Sequence, residues 1–251
     1  MKRCLALVLL AAITSSYVFA QQEEEPPIPP KRSKAGKVGA FGGFTPGWLF
    51  VDVKPINDFL VPAGGAPLKE NGVFLWGGGG AAYIMLLQNF RVGGVGMSGS
   101  IKSTRLDAFG VRRDAELHVG FGGVTLEYTT PVVERLDVSF GTMIGGGGID
   151  LILRQDNGGI SRWDGEQNIF QSGNPGSNMK RTLTGSYFIL IPSVNFEYAI
   201  LGWIGFRLGA SYVTMLSPSW TVDDNHELLG VPNKVSGKGF MINAGLFVGT
   251  F

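Results

Sequence analysis

Hydrophobic and polar residues alternate along most of the chain after residue 35, which is the pattern of half-exposed β-strands. Residues 205–212, GFRLGASY, are typical, since Gly, Arg, Gly and Ser alternate there with Phe, Leu, Ala and Tyr. The alternation predicts a strand with an apolar face and a polar face. Arg207 belongs to the polar face, and its charge therefore needs either water or an acidic partner.

The same periodicity predicts eight strands. They cover 36–46, 72–84, 89–103, 112–129, 134–153, 182–199, 202–217 and 237–251. In 112–129 the apolar residues move from odd positions, such as Leu117, to even positions, such as Leu126, at Gly122-Gly123. A change of phase at paired glycines predicts a β-bulge, with the apolar residues on the outer face on both sides of it.

The connections between these strands alternate strictly between long and short. In chain order they cover 47–71, 85–88, 104–111, 130–133, 154–181, 200–201 and 218–236. Short turns at one end and long loops at the other are typical of an up-and-down barrel in a membrane. The sequence therefore predicts an all-β fold, an antiparallel up-and-down transmembrane β-barrel of about eight strands.

The first long loop contains a candidate for a short helix. Lys54–Leu60 has a proline where the first helical turn tolerates it, and Ile56, Phe59 and Leu60 would form an apolar face. The helix either folds into or over the barrel mouth, against a wall lined by two GGGG runs, or forms a turn on the surface.

The N-terminal region predicts export. Residues 1–20 combine a basic start, an apolar run and small residues before a cleavage site, which are the features of a secretory signal peptide. Residues 21–35 are charged and proline-rich and are expected to form a disordered periplasmic tether, followed by the barrel at 36–251. Cys4 is the only cysteine, so the mature chain has no disulfide.

Composition and charge argue against several other functions. Without residues 1–20 the chain has 19 basic and 20 acidic residues, so it has no basic excess for nucleic acid. Gly77, Gly79 and Ala82 match the glycine fingerprint of dinucleotide sites, but no helical pattern follows them. Neither a cofactor nor a metal site is predicted, because the acidic stretch 223–227 lacks the spacing of a calcium loop.

The chain ends GLFVGTF, with Phe251 as the last residue. In this terminal aromatic residue and in its architecture it resembles small bacterial outer-membrane β-barrel proteins as a class. The resemblance implies that the barrel-assembly machinery reads Phe251 as an assembly signal. It also implies outer-membrane lipid as the surroundings of the barrel and the bacterial outer membrane as its location.

A lumen charge network is the main site hypothesis. If the apolar face of each strand meets lipid, the polar face points inward, where charged groups need partners. The network is predicted to comprise Arg207, Glu197, Glu127, Asp137, Arg135, Glu116 and Asp114. Arg207 is expected to bridge to Glu197 on the neighbouring strand. The network would either form a polar path or binding site, or act only as a plug of paired charges.

The sequence favours a non-enzymatic outer-membrane protein with a structural, surface-interacting or narrow passive-transport role. An extracellular ligand could bind through loops 154–181 and 218–236. One alternative is a barrel-borne lipid-modifying hydrolase with Ser139, His118 and Glu116 as a triad. Another is a soluble secreted β-barrel or sandwich that binds a ligand.

Overall fold

The computed structural model describes residues 39–84, 86–158, 163, 167, 178–223 and 226–249. The predicted signal peptide, the tether at 21–35 and the assembly signal Phe251 lie outside the described residues, as does most of loop 154–181. Among the described residues, no helix is long and apolar enough to cross a bilayer.

The described chain is almost entirely antiparallel β-structure. In chain order its elements are β1 (Ala40–Phe44), β2 (Gly47–Val51), α1 (Lys54–Leu60), β3 (Val73–Tyr83), β4 (Phe90–Leu106), β5 (Arg112–Val133), β6 (Leu136–Asp156), β7 (Met179–Leu201), β8 (Ile204–Val222), β9 (His226–Glu227) and β10 (Gly239–Gly249). From β3 to β8 each strand pairs with the next one along the chain.

The sheet closes into a barrel through its first and last strands. β1 and β2 both pair with β10 on one side and with β3 on the other, so they form one wall strand interrupted at Thr45-Pro46. Proline lacks the N–H that the ladder needs, which explains the interruption. Because β9 has only two residues, eight wall strands remain in the described part of the chain. The predicted eight-stranded barrel is confirmed, although its first strand continues to Val51, inside the predicted loop 47–71.

A belt of exposed apolar side chains surrounds the barrel. On β8 the even positions Phe206, Leu208 and Tyr212 point outward, so the polar face of GFRLGASY is the lumen face. Neighbouring strands add further exposed residues, among them Trp48, Phe50, Phe74, Trp76, Val124, Leu126, Phe140, Phe188, Phe196, Phe240 and Leu246. A continuous outward apolar belt is the surface that a transmembrane barrel presents to lipid.

The predicted bulge at Gly122-Gly123 is wrong. β5 and β6 stay in register through Gly122↔Gly146 and Gly123↔Gly145, and odd residues of β5 point inward along its central part. What changes at the glycines is the side on which the apolar residues lie. Val124, Leu126 and Tyr128 face outward, whereas Ala115, Leu117, Val119 and Phe121 face the lumen.

The lumen therefore has two halves of opposite polarity. Near the short turns the lumen is polar and the outer surface apolar. Towards the long loops the lumen is filled by an apolar core in which Leu49, Val73, Leu117, Ile189 and Val213 have no exposed surface. The outer face of β4–β6 beside that core carries charged residues.

The helix α1 belongs to the apolar core at the long-loop end, so the predicted helix is confirmed and it enters the mouth. Ile56 and Leu60 are buried in the core, one helical turn apart. Phe59, predicted on the same face, is exposed because it lies to one side of that pair. The Asn57 side chain donates to the Leu68 carbonyl at 3.0 Å and accepts from the Leu68 N–H at 2.7 Å, which holds the following loop over the helix.

Candidate functional site

Two arginines and two glutamates form a compact cluster in the polar half of the lumen. Arg91 Nη1 and Nη2 donate to Glu197 at 2.7 and 2.6 Å, and Nη2 also donates to Glu127 at 2.7 Å. Arg207 donates to the same two carboxylates, at 2.9 and 3.1 Å to Glu127 and 2.6 Å to Glu197. Each carboxylate is therefore shared by both cations, and the four formal charges cancel.

The location of the cluster makes the pairing of its charges necessary, although the buried Nε of each arginine has no hydrogen-bond partner among the described residues. β4, β5, β7 and β8 each contribute one residue, at the level of the outward belt, where an unpaired charge would be very costly. Arg91 is only 1 % exposed and Glu127 4 %. Ser139 Oγ also donates to Glu197, at 3.1 Å, so that carboxylate has a third donor residue.

Aromatic rings enclose the two guanidinium groups. The Arg91 Cζ lies 5.0 Å from the centre of the Phe41 ring, and the Arg207 Cζ lies 5.1 Å from the centre of Phe247. The two rings pack edge to face, 5.2 Å apart. Cation–π contacts of this kind are stronger when water is excluded, so the rings add to the binding of both arginines.

A small cavity separates the cluster from the apolar core. Its volume is about 70 Å³, and its wall combines Arg207, Ser211 and Asn243 with Met97 and Met143. The buried Ser211 Oγ has no hydrogen-bond partner among the described residues. The cavity is lined mainly by apolar side chains, but it is large enough for a few water molecules, which would hydrate that hydroxyl and the other polar groups in its wall.

The structure places the predicted network residues in four different environments. Arg207, Glu197 and Glu127 belong to the cluster. Asp137 is half-buried directly opposite Glu197 on the neighbouring strand. The expectation was wrong for Arg135, which lies exposed in the two-residue turn between β5 and β6.

The prediction was also wrong for Glu116 and Asp114, which face outward. The reason is the reversed polarity of the barrel near the long loops, because there the polar phase of β5 is the outer one. Glu116 forms an ion pair with Lys102 at 3.1 Å, and Asp114 forms one with Arg112 at 3.0 Å.

Arg91, the most buried member of the cluster, was not among the predicted network residues. The signal was present, because Arg91 stands between Phe90 and Val92, which are both exposed in the outer belt. The glycines that follow in β4 carry no side chain and interrupt the alternation of apolar and polar residues. The sequence of this strand therefore did not show which positions face the lumen.

The catalytic and cofactor alternatives do not fit the geometry. Ser139 points into the lumen, whereas His118 and Glu116 are on the outer face of β5, so these residues do not form a triad. The nucleotide-like Gly77 and Gly79 lie inside strand β3, not before a helix. Among the described residues, no group of three or more His, Cys, Asp or Glu side chains could hold a metal ion.

No protein family model and no curated protein matches the chain. Among solved structures it is similar to small outer-membrane barrels. A major outer membrane protein of Thermus thermophilus has 7 % identity and a TM-score of 0.44, with 85 % of this chain and 100 % of that chain covered. The attachment invasion locus protein Ail of Yersinia pestis, in complex with the heparin analogue sucrose octasulfate, has 10 % identity and a TM-score of 0.38, with 85 % and 99 % covered. The N-terminal barrel domain of Pseudomonas aeruginosa OprF has 9 % identity and a TM-score of 0.37, with 86 % and 99 % covered.

Proposed function

We propose that this chain is a sealed, non-enzymatic barrel of the bacterial outer membrane, with its long loops at the cell surface. The outward apolar belt supports the membrane location, because a soluble secreted barrel or sandwich would not expose so large a contiguous apolar surface. Three connections at the same end, 52–72, 157–178 and 223–238, are long, and they support the orientation, although the predicted long loop between β4 and β5 has only five residues, 107–111.

The single observation that carries the proposal is the apolar core across the lumen near the long loops. Buried side chains from β2 to β8 meet there with almost no exposed surface, and α1 covers them. Eight-stranded barrels have interiors just wide enough for side chains to fill, so such a core blocks passage of solutes. This favours a structural or surface-interacting role over narrow passive transport, and it makes the buried charges a stabilising plug.

The role at the surface would be carried by loops 154–181 and 218–236, together with the polar outer face of the strands below them. An extracellular ligand for these loops and recognition of Phe251 by the barrel-assembly machinery are part of the same proposal. Recognition of Phe251 follows from the resemblance of the sequence to small outer-membrane barrels, and the ligand follows from the position of these loops at the cell surface.

Conductance measurements test the sealed lumen. The refolded chain is first run on SDS gels, boiled and unboiled, and a mobility shift on boiling identifies the folded barrel. Folded protein is then added to planar lipid bilayers beside a general porin. We expect no conductance steps from this chain or from its R207M variant. Steady channels from the folded wild-type chain, or channels that appear only in R207M, would refute a purely structural plug.

A further inference from the structure

A second polar site lies on the outer face of the barrel, above the apolar belt and away from the lumen. It is formed by outward residues of four neighbouring strands, β4 to β7, and we call it the outer charged patch. Its members are Lys102, Thr104, Arg112, Asp114, Glu116, Arg154 and Lys180. All but Lys180 line one shallow surface cavity of about 90 Å³.

The cations of the patch are more accessible than its carboxylates. The side chains of Lys102 and Arg112 are 64 % and 56 % exposed, whereas their partners Glu116 and Asp114 are 17 % and 27 % exposed. The carboxylates therefore lie beneath the cations and are partly screened by them. A ligand that approaches from outside meets Lys102 and Arg112 before these two carboxylates, although the exposed Asp156 of β6 lies directly opposite Arg112.

Two further cations of the patch face each other. Arg154 and Lys180 occupy directly opposite positions on β6 and β7, and both are exposed. Like charges at directly opposite positions destabilise a sheet. Asp114 is opposite Arg154 on its other side, but it already forms its ion pair with Arg112. An anion bound between Arg154 and Lys180 would relieve their repulsion and bind two cations at once.

Below the patch, beyond an outward row of Ser100, His118 and Asp150, the outer surface is bare backbone. Outward glycines of four strands meet there through the pairs Gly78↔Gly96, Gly96↔Gly122 and Gly122↔Gly146. A Cβ at Gly96 or Gly146 would find its nearest neighbouring atom only at 4.0 or 3.9 Å, so the surface is open to the outside. These glycines belong to the apolar belt, and they form a smooth wall against which an acyl chain can lie.

We propose that the outer charged patch binds the phosphorylated head group of a glycolipid in the outer leaflet, with Arg154 and Lys180 as the principal cations. Arg154 lies six positions after Gly148, the last outward glycine of β6. On a strand tilted by about 45° this places Arg154 roughly 14 Å further out than that glycine, on the head-group side of the belt. The inference rests on the outer-membrane location proposed above but is independent of whether the lumen conducts.

The test compares binding of lipid A by the folded full-length barrel and its variants in neutral detergent micelles. Binding is followed by thermophoresis of the labelled protein, at low and high salt. In the double variant R154Q/K180Q we expect the half-saturating lipid A concentration to rise by about tenfold or more, since basic groups near an anionic head group act through charge. High salt should weaken binding to the wild-type chain and largely remove the difference between the two proteins.

A matched control removes the same charge elsewhere. R135Q/K234Q changes an exposed turn arginine and a lysine of the last long loop, and it should bind lipid A like the wild-type chain. Retention of the boiling-dependent gel shift shows that each variant is folded. Equal binding by the wild-type chain and R154Q/K180Q would overturn the proposal.

Two further ligands separate a lipid from a free anion. Lipid A without its phosphates should bind the wild-type chain as weakly as lipid A binds R154Q/K180Q, and equally tight binding would exclude phosphate recognition. Inorganic phosphate alone should compete only at far higher concentrations than lipid A. Competition at equal concentrations would overturn the assignment of a glycolipid. Conductance by the folded chain would refute the sealed lumen and leave this site unaffected.

Discussion

Arg91 of β4 and Glu197 of β7 form a two-point ion pair across the lumen, with both guanidinium Nη atoms on the two carboxylate oxygens at 2.7 and 2.6 Å. The strands β5 and β6 lie between them in the wall, so this pair connects distant parts of the barrel. Its geometry is the parallel one that gives Arg–carboxylate pairs their specificity.

The charge cluster makes Arg91 essential for stability. Replacing Arg91 with Met leaves Glu127 and Glu197 buried with only one cation, which should lower the free energy of unfolding by about 3–5 kcal/mol. Urea unfolding of the refolded barrel in phosphatidylcholine vesicles, followed by tryptophan fluorescence, measures this loss. The exposed pair Lys102–Glu116 provides the control, because K102M should cost no more than about 1 kcal/mol. A loss below about 1 kcal/mol in R91M would show that the cluster is not tightly coupled.

The GGGG run in β6 contains a matched pair of glycines for testing the lumen packing. A Cβ at Gly147 would lie 2.5 Å from the Gly120 carbonyl oxygen and from Ile189 Cδ1, whereas at Gly146 it would lie 3.9 Å from its nearest neighbour. G147A should therefore destabilise the barrel by about 1–3 kcal/mol, and G146A should be neutral or slightly stabilising. Unfolding in the same vesicles compares the two. Similar effects of both substitutions would contradict the inward direction assigned to Gly147.

Asn57 holds the loop after α1 through two buried hydrogen bonds to Leu68. N57A leaves both backbone groups of Leu68 without this partner, which should cost about 1–3 kcal/mol and loosen the helix. Hydrogen exchange at the Leu68 amide should become faster, while β5 amides keep their protection. D58A, at the exposed neighbouring position, should leave this exchange unchanged. If N57A also left it unchanged, the side chain of Asn57 would not be what holds the loop.

The hairpin between β4 and β5 should depend on pH through Asp107. The hydrogen bond from Arg113, supported by the backbone N–H groups of Val111 and Phe109, holds the pKa of Asp107 below its ordinary value of 3.8. Because the pKa of Asp107 is lower in the folded chain than in the unfolded chain, the ionised carboxylate stabilises the loop. This stabilisation is complete above pH 3.8 and is lost as the pH falls through the lower pKa of the folded chain. The protection of the Phe109 and Val111 amides, taken relative to intrinsic exchange at each pH, should fall in that acidic range. In D107N this protection should already be low at neutral pH and should not fall further in acid.

Alternation and loop lengths were enough to predict the eight strands, their order and the direction of the polar face of β8. They could not predict on which side the apolar face of β5 lies in its two halves. Lipid and a protein core both favour apolar side chains, so Leu117 and Leu126 look equivalent in sequence. In the structure Leu117 faces the lumen and Leu126 faces outward. The change of phase at Gly122-Gly123 marked the boundary between these two environments instead of a bulge.

The charge cluster could be predicted only in part. Glu197 and Arg207 are on adjacent strands and on the same phase, so their proximity follows from local pairing. Arg91 meets Glu197 only because the barrel closes and brings opposite walls within reach of two long side chains. The phase error in β5 also explains why Asp114 and Glu116 were assigned to the lumen.

The reversed polarity of the two barrel halves has a consequence for biogenesis. A chain that enters the outer membrane from the periplasm has to move the outer ends of β4 to β7 through the hydrocarbon layer, with Lys102, Arg112, Arg154 and Lys180 on their outward faces. Passage of charged groups at mid-bilayer is costly for each residue. Moving these hairpin ends across the hydrocarbon layer should therefore be slower than pairing the first and last strands. It is the step at which catalysed assembly would accelerate insertion most.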